Sequence, residues 1–105
     1  MDPVEFVYDC EGFDWDKGNL GKSWAKHGVS PYECERAFFN QPLLIFDDET
    51  HSKQERRRYA LSSTDLGRYL FLVFVIRNKR IRIISARDMN RSERKVYKNY
   101  EKRRS

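Results

Sequence analysis

Apolar and polar positions alternate most clearly near the C-terminal end of the chain. From Arg77 to Arg87 the sequence reads Arg-Asn-Lys-Arg-Ile-Arg-Ile-Ile-Ser-Ala-Arg, with Arg80 and Arg82 on one side of a period-two pattern and Ile81 and Ile83 on the other. That period predicts a strand with one buried face and one cationic face. Leu70 to Ile76 precedes it and is apolar on both faces, as expected of a strand in the middle of a sheet. Arg77-Asn-Lys-Arg80 between them is a tight turn. Upstream, Arg56 to Ser63 alternates, with Arg57, Tyr59 and Leu61 on one face and Arg58 and Ala60 on the other, and Leu43 to Phe46 is a further short strand. The last three strands form an antiparallel meander. Asp47 to Gln54 is a polar, acidic loop, and Ser62 to Gly67 is a turn.

Helical periodicity lies on either side of these strands. Ser30-Pro31-Tyr32-Glu33 combines an N-cap serine, a proline at the first helical position and a glutamate that completes a capping box. The helix is expected to run through Phe39, with Cys34, Ala37 and Phe38 as its buried stripe. An earlier helix is expected from Lys17 to about Lys26, capped by Asp16, carrying Leu20 and Trp24 on a narrow apolar face and ending at His27-Gly28. Phe13 and Trp15 suggest a short strand before it; Val4, Phe6 and Tyr8 alternate weakly. The last helix begins at Asp88 or Ser92, with Met89, Val96, Tyr97 and Tyr100 inward. The expected fold is α+β: one compact domain over 1–105, two N-terminal helices and one C-terminal helix on one face of an antiparallel sheet built from a three-strand meander plus short strands.

Composition narrows the function. The chain has 105 residues and a net charge of +5. Its first 55 residues hold 5 Lys/Arg and 12 Asp/Glu, net −7, whereas residues 56–105 hold 16 and 4, net +12. A basic half of that density points to a polyanion or an acidic partner. No apolar run reaches membrane-spanning length and the N-terminus lacks signal-peptide features, so a cytoplasmic protein is expected. Cys10 and Cys34 have no metal or redox spacing and read as free thiols. With His27 and His51 they give no metal-ligand pattern, and Asp47-Asp48-Glu49 reads as a solvated loop. A nucleophile elbow and a phosphate-binding glycine loop are absent. No cofactor is expected.

What remains is a basic constellation. In a meander, Arg57, Arg77 and Arg82 come to one side of one sheet, where they suit a phosphodiester and charge developing on it. His27 is placed to move a proton near neutral pH, or simply ends a helix by bonding a carbonyl. Glu55 is a base or a salt-bridge partner of the arginines. Lys26, Arg80 and Arg87 add flanking cations. Each arginine read alone is a solvated or helix-pairing charge before it is an anion contact. Trp15, Trp24 and Tyr59 are core aromatics or base-stacking ones.

These residues also resemble a family. Phe13-Asp-Trp-Asp-Lys-Gly-Asn19, Lys26-His-Gly-Val-Ser30, Glu33 with Ala37 and Phe39, Pro42, Glu55 with Arg57, Gly67-Arg68, Arg77, and Arg82-Ile-Ile-Ser-Ala-Arg87 followed by Glu93-Arg94 and Tyr97 are similar, in order, to BrnT-type toxins. The likeness spans about residues 13–97, leaving 1–12 as an arm outside it and 102–105 as a basic tail. It implies a RelE-like fold and a metal-independent endoribonuclease toxin of a type II toxin–antitoxin pair, cleaving RNA, inhibiting translation and neutralised by a BrnA-type antitoxin in a hetero-oligomer. DNA would be met only through that antitoxin, and no membrane is involved. On this likeness His27, Glu55, Arg57, Arg77 and Arg82 are catalytic and Lys26, Arg80 and Arg87 bind RNA. Asp88 stands where a lysine is common, which removes a cation near the expected site. The alternative is a non-catalytic basic module that binds RNA or a protein partner.

Overall fold

The computed structural model describes residues 7–51 and 54–104. Strand β1 (Gly12–Phe13) is followed by helices α1 (Lys22–His27) and α2 (Pro31–Ala37). Strands β2 (Leu44–Asp47), β3 (Arg58–Ser63), β4 (Tyr69–Arg77) and β5 (Arg80–Asp88) come next, then helix α3 (Arg91–Arg104). The strands form one sheet in the order β1-β5-β4-β3-β2. The long apolar strand β4 is therefore central, as its two apolar faces require. Neighbours from β2 to β5 are antiparallel, but β1 lies parallel to β5, pairing Gly12 with Arg80 and Phe13 with Ile81. The sheet is thus mixed, not antiparallel as expected.

The capping box forms as the sequence dictates: Ser30 Oγ accepts the Glu33 N–H at 3.1 Å, and Glu33 Oε1 accepts the Ser30 N–H at 3.0 Å. Helix α2 seats Cys34, Ala37 and Phe38 against Leu70, Leu72, Phe74, Ile81 and Ile83, which together form the main core. Burial there pushes the Cys34 thiol up to about 12, so Cys34 is a core group and not a nucleophile. Helix α2 ends at Ala37, short of Phe39, which is exposed.

Helix α1 departs further from expectation. It starts at Lys22 because Gly21 takes a left-handed φ of 81°, and residues 17–21 form turns organised by Asp16. Leu20 and Trp24 are 56% and 60% exposed, so they are not core. The reason is position. The α1 segment covers an edge of the sheet, not a face. Beyond the two β1 pairs, no strand among the described residues lies beside β5 on that side; Asn19 Nδ2 donates to Ile83 O at 3.0 Å and Ser23 Oγ accepts the Ala86 N–H at 2.8 Å. These bonds satisfy an edge that would otherwise present open backbone groups.

Helix α3 lies on the sheet face opposite α2, correcting the one-faced arrangement. Tyr97 on α3 and Met89 ahead of it pack on Leu61, Tyr69 and Phe71, whereas Val96 and Tyr100, expected inward, are 42% and 41% exposed. Asp88 belongs to β5, and Asn90 caps the helix: its Oδ1 accepts the Glu93 N–H while Glu93 Oε1 accepts the Asn90 N–H, both at 2.9 Å. Of the weak alternation at Val4, Phe6 and Tyr8, only Tyr8 lies within the described residues, and there the chain is helical.

Candidate active site on the open sheet face

The site is built by strand register. Tyr59 pairs with Val73 and Arg58 with Phe74, so Arg57 continues onto the side that carries Val75 and Arg77. On β5, Val75 faces Arg82 and Arg77 faces Arg80. Asn78 and Lys79 turn the chain between the strands with φ of 51° and 61°, the left-handed pair of a tight hairpin. An irregularity follows. Phe74 pairs with Ile83 but Val73 with Ser85, leaving Ile84 as an extra residue. This bulge resets the alternation, placing Ala86 in the core and Arg87 on the same face as Arg80 and Arg82. Strict period-two reading would put Arg87 on the buried side.

Over one half of this face lies an open cavity of about 550 Å³, floored by Val75 and Ile84 and rimmed by Gln54, Glu55, Arg57 and Arg77. Arg77 forks onto Glu55, with Nε and Nη2 each 2.8 Å from a carboxylate oxygen. That fork, reinforced by the fields of Arg77, Arg82 and Arg57, holds the Glu55 carboxyl below the usual range. Glu55, Arg57 and Arg77 thus line one cavity, and Arg82 lies near enough for its charge to act on Glu55.

Arg82 is aimed at the sheet edge. Its side chain is only 11% exposed and forks onto Asp16, at 3.0 and 2.9 Å, with Asp14 at 3.5 Å. Asp16 also accepts the Gly18 N–H at 2.8 Å, and these bonds depress its carboxyl. Glycine at 18 leaves room for this: a Cβ there would stand 2.9 Å from Arg82 Nη2.

The remaining predicted residues fall elsewhere. Arg87 stacks on the Phe71 ring at 4.0 Å and forks onto Glu93, at 2.8 and 3.0 Å. It ends a ladder across four strands, Phe46 on Tyr59 on Phe71, with ring centroids 5.1 and 5.2 Å apart. Tyr59 thus has a ring on either side and offers no free face to a base. Trp15 packs against the core and donates to Glu35 at 2.7 Å. Arg80 is exposed at the hairpin end of β5, opposite Arg77.

Lys26 and His27 are exposed on the last turn of α1, with His27 near Asp88. Asp88 and Arg82 are six positions apart on β5, a span of about 20 Å. His27 and Lys26 are therefore not brought to the Glu55 cluster. What holds their turn is Arg68, which sequence reasoning had not placed in a role. It donates to the His27 and Gly28 carbonyls at 3.2 and 2.8 Å, to Glu33 at 3.3 Å, and to Asp88 at 2.7 and 3.1 Å. Asp88 is thus the partner of a helix-capping arginine, held well ionised by it, and takes no cation from the Arg57–Arg77–Arg82 group. Its signal in the sequence is Gly67-Arg68 itself, a cation after a turn glycine.

The sequence matches the family described as ribonuclease toxin, BrnT, of type II toxin-antitoxin system, over residues 15–93. The chain belongs to the BrnT family. The match takes in Asp16, Glu55, Arg57, Arg77, Arg82 and Arg87, and ends at Glu93. No curated protein matches the chain significantly. Membership assigns this BrnT-family chain to the ribonuclease toxins and implies an antitoxin partner and an RNA target. Among the described residues, no helix is long and apolar enough to cross a membrane, and no group of three or more His, Cys, Asp or Glu is placed to hold a metal ion.

Proposed function

We propose that this chain is a cytoplasmic, RelE-like endoribonuclease that cuts RNA without a metal, by attack of a ribose 2′-hydroxyl on the adjacent phosphate, which breaks the P–O5′ bond and leaves a 2′,3′-cyclic phosphate and, after protonation, a 5′-hydroxyl. Its product would be a blocked translation system, and a BrnA-type antitoxin would neutralise it. The observation that carries the reading is the gathering of Arg57, Arg77 and Glu55 at an open cavity of the sheet, with Arg82 on the same face. Guanidinium forks match phosphate oxygens and stabilise charge that builds up on them during attack. Glu55, ionised and held beside the arginines, is the group in reach to take the hydroxyl proton. His27, Lys26, Arg80 and Arg87 then contact the RNA chain away from the cleaved bond.

A second reading, a non-catalytic basic module, draws on a specific feature: Arg77, Arg82 and Arg87 are each already forked onto a carboxylate. The two separate in one experiment. Purified protein is incubated with total RNA in EDTA, alongside Arg77→Ala and Glu55→Gln whose folding is checked by circular dichroism. The nuclease reading expects cleavage by the parent and loss of at least ~100-fold in the variants, the scale of one oxyanion-type donor. A folded Arg77→Ala that cuts like the parent refutes the assignment; no cleavage by the parent at any concentration favours the binding module.

A further inference from the structure

A second group of cations lies off the sheet. They lie along α3, and they are ordered. Arg91, Lys95, Lys98 and Lys102 recur at i, i+4, i+7 and i+11, and all four are exposed. On an α-helix that spacing places them within an arc of about 60° and along about 16 Å of axis. Arg94 flanks the stripe while donating to Met89 O at 3.0 Å, and the Lys98 ammonium lies 5.7 Å from the Tyr69 ring. The two acidic residues of the helix point elsewhere. Glu93 is taken by Arg87, and Glu101 accepts the Tyr69 hydroxyl at 3.0 Å, both on the side that Tyr97 buries.

We propose that this outer stripe of α3 is an RNA-backbone track, separate from the Glu55 cavity, that holds the strand running to or from it. The inference builds on the ribonuclease reading for the identity of the polyanion. Two features select a phosphate backbone over a protein. The stripe contains no apolar residue between its cations, whereas protein interfaces centre on buried apolar and aromatic groups. Its cations also repeat in axial steps of about 4.5 and 6 Å, a regular series suited to a regularly charged polymer. Such contacts carry no sequence preference and are released by salt.

The test uses the full chain and a 2′-O-methyl oligouridylate, which lacks the attacking hydroxyl and so survives binding. Lys95→Gln/Lys98→Gln is compared with Lys17→Gln/Lys22→Gln, an equal charge change on α1 and its lead-in; glutamine keeps helix propensity. Losing two single-strand phosphate contacts should lower the slope of log affinity against log salt by about 1.4, equivalent to about tenfold weaker binding at 0.15 M salt. The α1 variant should keep the parent slope. Equal slopes in the two variants, or an unchanged slope in the α3 variant, overturn the proposal. So does an α3 variant that loses poly-glutamate binding but keeps RNA binding, which would assign the stripe to an acidic polypeptide. A parent that binds with the expected slope yet never cleaves RNA defeats the nuclease reading and leaves the track standing.

Discussion

Tyr97 is the side chain that fixes α3 to the sheet, and its removal has a cost that can be worked from its contacts. It is 0% exposed, its ring stands edge-on to Tyr69 at 5.5 Å, and its hydroxyl donates to the buried Pro42 carbonyl at 2.7 Å. Tyr97→Phe keeps the ring and removes only the donor. A buried carbonyl deprived of its partner costs roughly 1–3 kcal/mol. Taking about 1.5 kcal/mol, and about 4–8 °C per kcal/mol for a domain of this size, Tm should fall by about 6–12 °C. Tyr97→Ala removes the ring as well and should cost about 3–5 kcal/mol, enough to unfold a marginal domain. Tyr100, three positions on and 41% exposed, provides the control; Tyr100→Phe should stay within about 0.5 kcal/mol of the parent. Thermal melts by circular dichroism decide it. A Tyr97→Phe protein that melts within about 2 °C of the parent, or together with Tyr100→Phe, refutes the reasoning.

Two further outcomes follow from the arginine pairs. Asp16→Asn keeps an acceptor for the Gly18 N–H but removes the charge that occupies Arg82, so binding of 2′-O-methyl oligouridylate should tighten several-fold; weaker or unchanged affinity contradicts the pairing's role. Glu55 has a depressed folded pKa, so its ionised form, and any activity that needs it, is present above the ordinary carboxylate range and lost only as pH falls through the lower, folded value. From about pH 5 upward kcat/KM should show no acid limb from this group, and a limb with its midpoint near neutrality would exclude Glu55 as the base.

The meander, the central β4 and the α2 capping box were legible because each rests on local rules: alternation, apolar content, and residues three apart that bond one another. The parallel seat of β1 was not, since Phe13 and Ile81 lie far apart in sequence and nothing local in Gly12-Phe13 states its partner. Trp24 was misjudged for a related reason. A helix with an apolar stripe is expected to cover a face, but α1 covers an edge, where Asn19 and Ser23 make the contacts and Trp24 remains exposed. Tyr97 and Tyr100 differ only by rotation about α3, which the sequence could not orient once the stripe was set too wide. In the site, period two put Arg57, Arg77 and Arg82 on one face. The bulge at Ile84 that adds Arg87 to that face has no sequence signature of its own. Nor could spacing foretell that His27 sits at the far end of β5, because the distance is set by how α1 docks.

The uneven charge along the chain takes on a different meaning once folded. The acidic first half supplies Asp14 and Asp16, which meet Arg82, Glu55, which meets Arg77, and Glu33, which shares Arg68 with Asp88. Arg77 and Arg82 are thus occupied before any substrate arrives. Under the proposed reading, a phosphodiester must exchange for a carboxylate, one monoanion for another on the same fork, and the exchange gains little in the ground state. Attack by the 2′-hydroxyl changes the balance, because the five-coordinate phosphorus species gains a second negative charge as the proton leaves. Glu55 loses its own charge as it takes that proton, so the Arg77 fork is released to the phosphorus species as its charge grows. The Arg77–Glu55 pairing therefore opposes binding of the diester more than binding of the transition state, which is the direction in which a difference in affinity becomes rate. On that argument the carboxylates that make the site look closed are part of what makes it selective, and the loose grip they leave on the RNA is what an outer track of lysines on α3 would offset.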